Sequence, residues 1–146
     1  MKNFRITESK IKKAYSDLQQ LGISARITVR SDNNMLLDYP VFDDLILREM
    51  TEDDCLFMED RVNAVIRIQS IHINQFSSSG KELPCVDKRM KSVIGGSVTY
   101  FWQDHVNAIL LRGEGAYCFG KTLREAARCC EMLDRSVRAY INSLLQ

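Results

Sequence analysis

Two histidines, His72 and His105, and five cysteines, Cys55, Cys85, Cys118, Cys129 and Cys130, are the residues best suited to hold a metal or supply a nucleophile. Their spacing argues against both. The cysteine count is odd and no C-x-x-C occurs, so neither a disulfide framework nor a zinc site is expected. Cys129-Cys130 is a vicinal pair within a helical pattern. It reads as small buried residues in a reducing compartment, with a redox switch as the sharper alternative. A metal site built from His72, His105 and either Cys85 or Glu114 follows no familiar ligand spacing, so surface or capping histidines are the expectation.

The bulk properties narrow the function classes. With 146 residues, 45% of them hydrophobic and 27% charged, the chain suits a single globular domain over 1–146 that buries a core without disulfides. Lys and Arg number 20 against 19 Asp and Glu, a net charge of +1, which argues against nucleic-acid binding. Lys2, Arg5, Lys10, Lys12 and Lys13 cluster near the start, but without interleaved aromatics they read as a solvated helix face. No apolar run spans a bilayer and the start has no apolar signal core, so no membrane association and a cytoplasmic location are expected.

The elements that must position these groups follow from periodicity. A first helix is expected from about Glu8 to Leu21, with Ile11, Ala14, Tyr15, Leu18 and Leu21 as its apolar stripe, Thr7 as cap and Gly22 as stop. Ala25–Arg30 and Met35–Tyr39 read as a hairpin around Ser31-Asp32-Asn33-Asn34. Cys55–Met58 and Val62–Ile68 read as strands, Ser77–Gly80 as a loop and Gly95-Gly96 as a turn. Ser97–Trp102 is a further strand, where Tyr100, Phe101 and Trp102 alternate between faces and point to core packing or an interface. Asn107–Arg112 and Ala116–Phe119 read as a second hairpin about Gly113-Glu114-Gly115. The last helix opens with the Thr122/Glu125 capping box and carries Leu123, Ala126, Cys130, Leu133, Val137, Tyr140, Ile141 and Leu144 at alternating three- and four-residue steps. Arg128, Asp134, Arg135 and Arg138 are expected on its wet face. The fold class is therefore α/β, a mixed, largely antiparallel sheet flanked by helices.

The segment Ala108-Ile109-Leu110-Leu111-Arg112-Gly113-Glu114-Gly115 through Gly120-Lys121-Thr122-Leu123-Arg124-Glu125-Ala126 resembles the pattern A-x-L-L-x-x-H-G-x-x-x-x-G-x-T-x-x-E-A of the class II aldolase and adducin head domains. Cys130-Glu131-Met132-Leu133-Asp134 is similar to that family's C-E-x-L-E segment. Ile23–Arg30, Met50–Cys55 and Ala64–Ser70 resemble its G-N-I-S-V-R, L-T-P-E-D-L and A-V-V-H-T-H-S segments, in the same order.

The resemblance implies a divalent metal held by three histidines, and here those positions read Arg67, Gln69 and Glu114. A guanidinium has no lone pair to donate, and one carboxylate does not make a site. Arg67 and Glu114 are expected either to form an ion pair in the metal's place or to point to solvent. The family's acid/base glutamate has no counterpart in the short Glu59-Asp60-Arg61 connection, and a helix-sized stretch before Asn107 is also missing, so the fold is expected to be reduced. Ala25-Arg26 and Asp38-Tyr39-Pro40-Val41 replace the small phosphate-binding turns, leaving no amide nest for an anion. The cleft residues implied are Arg26, Tyr39 and His72.

A non-catalytic binding or assembly module with no cofactor follows, a homo-oligomer or the partner of another protein. The alternatives are a divergent metal-dependent lyase using Glu114, His72 and a cysteine, or a sensor that takes a small phosphorylated sugar in the family cleft.

Overall fold

The computed structural model describes residues 2–31, 34–55, 58, 62–79, 92–95, 108–111 and 114–144. The first helix, α1 (Lys2–Gln20), buries Ile11 and Leu18 completely, with Ala14 and Tyr15 packed beside them. It begins before the expected Glu8, so Thr7 lies inside it and does not cap its start. Gly22 ends it as expected. Its φ of +79° lets its N–H reach the Gln19 carbonyl at 3.0 Å while Ile23 N–H reaches Leu18 at 3.0 Å, a Schellman closure.

The strands β1 (Ser24–Arg30), β2 (Leu36–Val41), β3 (Asp44–Arg48), β4 (Ala64–Gln69), β5 (Ser92–Gly95), β6 (Ala108–Leu111) and β7 (Gly115–Gly120) form one sheet in the order β3-β2-β1-β4-β7-β6-β5. Only β5–β6 is parallel, so the sheet is mixed and largely antiparallel, as expected. Both expected hairpins, β1–β2 and β6–β7, are present.

Sequence reading missed β3. The β2–β3 turn uses Phe42 and Asp43, both at positive φ (51° and 69°), and neither is the Gly or Asn that usually announces such a turn. It also missed β5, which lies ahead of the expected turn glycines and ends on Gly95.

Two helices replace expected strand and loop. Cys55, expected to open a strand, instead ends a short helix, α2 (Glu52–Cys55), while Leu56 and Phe57 of that expected strand lie outside the described residues. Thr51 N–H donates to Asp54 Oδ2 at 2.7 Å and Asp54 N–H to Thr51 Oγ1 at 3.4 Å, a reciprocal cap that starts the helix. Ser77–Ser79, expected as loop, end α3 (Ile71–Ser79), which is nucleated by Ser70 accepting from Ile73 N–H at 3.1 Å. The expected strand Ser97–Trp102 and its aromatics lie outside the described residues, as do Cys85 and His105.

The last helix is α4 (Leu123–Leu144). Its capping box forms as expected: Glu125 N–H donates to Thr122 Oγ1 at 3.1 Å, and Lys121 N–H donates to Glu125 Oε2 at 2.9 Å. Asp134 corrects the expected wet face, because it is buried.

Strand alternation sorts the sheet into two faces. Ala25, Ile27, Leu37, Ala64, Ile66, Ile68, Ala108, Leu110, Ala116 and Cys118 pack against α1, α3 and α4 in the main core. On the opposite face Leu36, Val65, Ile109 and Phe119 gather with Met58 and Val62 in a smaller one. Farther along that second face the polar residues begin, with Ser24, Arg26 and Gln69 exposed and Arg67 half-buried.

Candidate functional site

β4 runs down the middle of the sheet, and its alternation sends Arg67 and Gln69 to the face away from the main helix layer. Directly across on β1 stand Arg26, opposite Arg67, and Ser24, opposite Gln69. On the other flank Tyr117 of β7 is opposite Arg67, whose guanidinium carbon lies 5.5 Å from the Tyr117 ring centroid. That distance suits a cation–π contact.

Glu114 precedes β7. Gln69 Nε2 approaches its carbonyl oxygen at 3.5 Å, at the outer limit of a hydrogen bond. Gly115 makes this approach feasible. At φ +90° its missing side chain leaves room for Ile68 O, which would stand 2.3 Å from an added Cβ. The three positions that resemblance assigned to metal ligands are thus drawn together around the end of β4 and the turn before β7.

The charges there do not pair. Glu114 is exposed, Arg67 lies over Tyr117, and the described ion pairs include none between them. Of the two alternatives for this pair, Glu114 takes the solvent-exposed one, while the Tyr117 ring rather than a carboxylate receives the Arg67 guanidinium. Nor does the donor set fit a divalent metal. Arg67 offers no lone pair, Gln69 offers an amide, and among the described residues no group of three His, Cys, Asp or Glu side chains is placed to hold an ion.

The cleft residues expected from sequence do not meet. Arg26 is exposed on the face away from the main helix layer. Tyr39 pairs with Ile27 and so faces the helices, where its ring meets Tyr15 edge-on at 5.2 Å and Lys12 Nζ at 5.9 Å. His72 is half-buried in the first turn of α3, within the helix layer.

Asp38, in the segment that resemblance set in place of a phosphate turn, belongs to a different network. Asp38, buried, accepts from Thr28 Oγ1 at 2.7 Å and from Arg48. Arg48 also grips Asp54 through two nitrogens, one of them 2.7 Å from Asp54 Oδ1. That hydrogen bonding holds the Asp54 carboxyl down at about 2 against 3.8, with burial opposing and Thr51 assisting. The network ties β3 and α2 to the sheet. Sequence reading missed it, because its one cue, an acid between Leu37 and Tyr39, gains meaning only once β3 is present.

Cys118, Cys129 and Cys130 are buried together, while Cys55 is exposed. Burial pushes the Cys118 and Cys130 thiols up, and for Cys129 the hydrogen bond with Cys118 is the larger cause, followed by burial. Their surroundings match small core residues.

The comparisons with known proteins agree with this architecture. Residues 55–141, more than half of the chain, match the model of the Class II Aldolase and Adducin N-terminal domain. A sugar-phosphate aldolase from Thermotoga maritima superposes with a TM-score of 0.70 at 13% identity, over 97% of this chain and 96% of that one. L-fuculose 1-phosphate aldolase from Glaciozyma antarctica superposes with a TM-score of 0.69 at 18% identity, over 88% of this chain and 69% of that one. L-fuculose-1-phosphate aldolase from Thermus thermophilus superposes with a TM-score of 0.68 at 16% identity, over 91% of each chain. At these identities the likeness is one of fold. No curated protein matches the chain significantly in sequence. No helix of the described residues is long and apolar enough to cross a membrane. The chain belongs to the class II aldolase and adducin N-terminal domain family.

Proposed function

We propose that this chain is a non-catalytic member of its family that works by assembly, forming an oligomer through β3, an edge of the sheet among the described residues. One observation carries the first half. Arg67 occupies the central-strand position that resemblance gives to a metal-binding histidine, and a permanent cation there repels the ion that an aldol cleavage needs as Lewis acid.

The second half is supported by β3. Among the described residues this strand forms an edge of the sheet, with Ile46 40% and Leu47 43% exposed, and Phe42 at the turn before it is 97% exposed. Edge strands with apolar residues invite pairing with another strand. Leu45-Ile46-Leu47 is palindromic, so antiparallel pairing with a second copy sets Ile46 opposite itself and Leu45 opposite the partner's Leu47. Both neighbours are then apolar, as a buried contact requires.

Sedimentation of the purified chain tests the reading, together with metal analysis and an aldol-cleavage assay on sugar phosphates. The expected result is a species heavier than the 16.8 kDa protomer, dissociated by Phe42→Ser with Ile46→Lys, without bound divalent metal and without turnover. A strict monomer overturns the assembly half; a stoichiometric metal with turnover overturns the other.

A further inference from the structure

The strand that carries the proposed contact is bounded by acids. Between residues 38 and 54 stand seven acids and one base, Arg48. Asp43 and Asp44 are exposed where β3 begins, and Glu49, Glu52 and Asp53 are exposed beyond its end. Glu52 and Asp53 share a single helical turn with Asp54, which Arg48 holds, so they stand at the Arg48 end of the strand.

The one base does not offset them. Arg48 makes four hydrogen bonds within its own chain, to Asp38, to the Glu49 carbonyl and twice to Asp54. Two carboxylates around one guanidinium leave that group with a net negative charge.

Antiparallel pairing centred on Ile46 turns this distribution on itself. It sets Asp44 opposite the partner's Arg48, which its own acids already outnumber, and brings Asp43, at the turn, beside the partner's Glu49. The two-fold axis repeats the arrangement at the other end. Carboxylate therefore meets carboxylate on both sides of the apolar middle, and like charges opposed across strands repel. Leu45, Ile46 and Leu47 attract their counterparts in dilute and concentrated salt alike.

We infer that ionic strength controls this contact, a regulation that rests on the β3 assembly proposed above. The exposed acids hold two copies apart in dilute salt and let the apolar residues meet once counterions screen them. The screening length falls from about 30 Å at about 0.01 M salt to about 3 Å at about 1 M. In the first condition the acids at both ends act together; in the second only charges in contact do. Charged residues commonly guard sheet edges against indiscriminate pairing. Here the guard can be lifted, because the acids flank the apolar residues instead of interrupting them.

The test is sedimentation equilibrium of the full chain at constant pH in about 0.01 M and about 1 M sodium chloride. The dimer dissociation constant is expected to fall tenfold or more from the lower salt to the higher. The Asp43→Asn/Asp44→Asn double variant should associate in dilute salt as tightly as wild type does in concentrated salt. Asparagine readily keeps the φ of +69° at position 43, so the turn is retained. Glu49→Lys should invert the response, associating most tightly in dilute salt, because a cation then faces the partner's Asp43. Arg128→Gln, on the exposed side of α4, should keep the wild-type response. An oligomer that is indifferent to salt, or weakened by it, overturns the inference and leaves the assembly standing. So does a wild-type salt response in both the double variant and Glu49→Lys. A chain that stays monomeric in both salts overturns the assembly itself, and this control with it.

Discussion

Ser70 Oγ donates a hydrogen bond of 2.9 Å to the buried carboxylate of Asp134, joining the end of β4 to the middle of α4. The other Asp134 oxygen pairs with Arg138 at 2.9 Å, and Arg138 Nη2 reaches the Leu21 carbonyl at the end of α1 at 2.9 Å. One chain of polar contacts thus locks α1, α3 and α4 to the central strand that carries Arg67. Removing the acid strands a buried hydroxyl, and hydrogen bonds to a charged group contribute about 1.5–3 kcal/mol. Asp134→Ala is expected to lower the free energy of urea unfolding by about 2–3 kcal/mol. Arg138→Ala, whose side chain is 44% exposed, should cost less than about 1 kcal/mol. Equal effects from the two variants would show that burial of Asp134 is not what matters.

Asp54 sets an acid limit. Its carboxyl is depressed to about 2 from 3.8, chiefly by the Arg48 hydrogen bonds. A depressed folded-state value stabilises the fold above the unfolded value and loses that stabilisation as pH falls toward the folded one. Between about pH 4 and pH 2 the wild type should lose about 1–2 kcal/mol that the Asp54→Asn variant does not lose. Parallel pH-stability curves in that window would refute the linkage.

Gly115 is expected to tolerate no side chain. An added Cβ would lie 2.3 Å from the Ile68 carbonyl oxygen and 2.9 Å from Gln69 Cγ, at a φ of +90° that side chains rarely adopt. Backbone cannot yield as a flexible side chain does, so Gly115→Ala should destabilise by about 3 kcal/mol or more. Thermal melting of that variant beside wild type checks it; an unchanged melting temperature would mean that β7 approaches β4 less closely.

The buried thiols should be inert. Cys118 and Cys130 are raised mainly by burial, Cys129 mainly by its bond to Cys118, so all three stay protonated at neutral pH, and the thiolate is the reactive form. In a Cys55→Ser/Cys85→Ser protein, maleimide labelling at pH 7.5 should be absent from the folded chain and complete in denaturant. Fast labelling under native conditions would revive the redox reading of Cys129-Cys130.

Much of the fold was legible in the sequence because its cues are local. The three- and four-residue steps of α4 with its Thr122/Glu125 cap, the turn residues of the β6–β7 hairpin and the glycine that closes α1 all act within a few residues of one another. The elements that escaped lacked such cues. β3 turns at Phe42-Asp43 rather than at a glycine, and α2 competes with an apolar run that reads as strand.

By itself the sequence determined the order of most elements and the chemistry at positions 67, 69 and 114, because residue type alone decides that a guanidinium donates no lone pair to a metal. Only the tertiary structure decided that Arg67 stands beside Arg26 and over Tyr117, that Tyr39 faces the helices and that Asp134 lies inside. Those facts depend on register between strands far apart in the chain and on which helix face meets the sheet. A one-residue slip would send each of those strand residues to the opposite face, and no local pattern records the register.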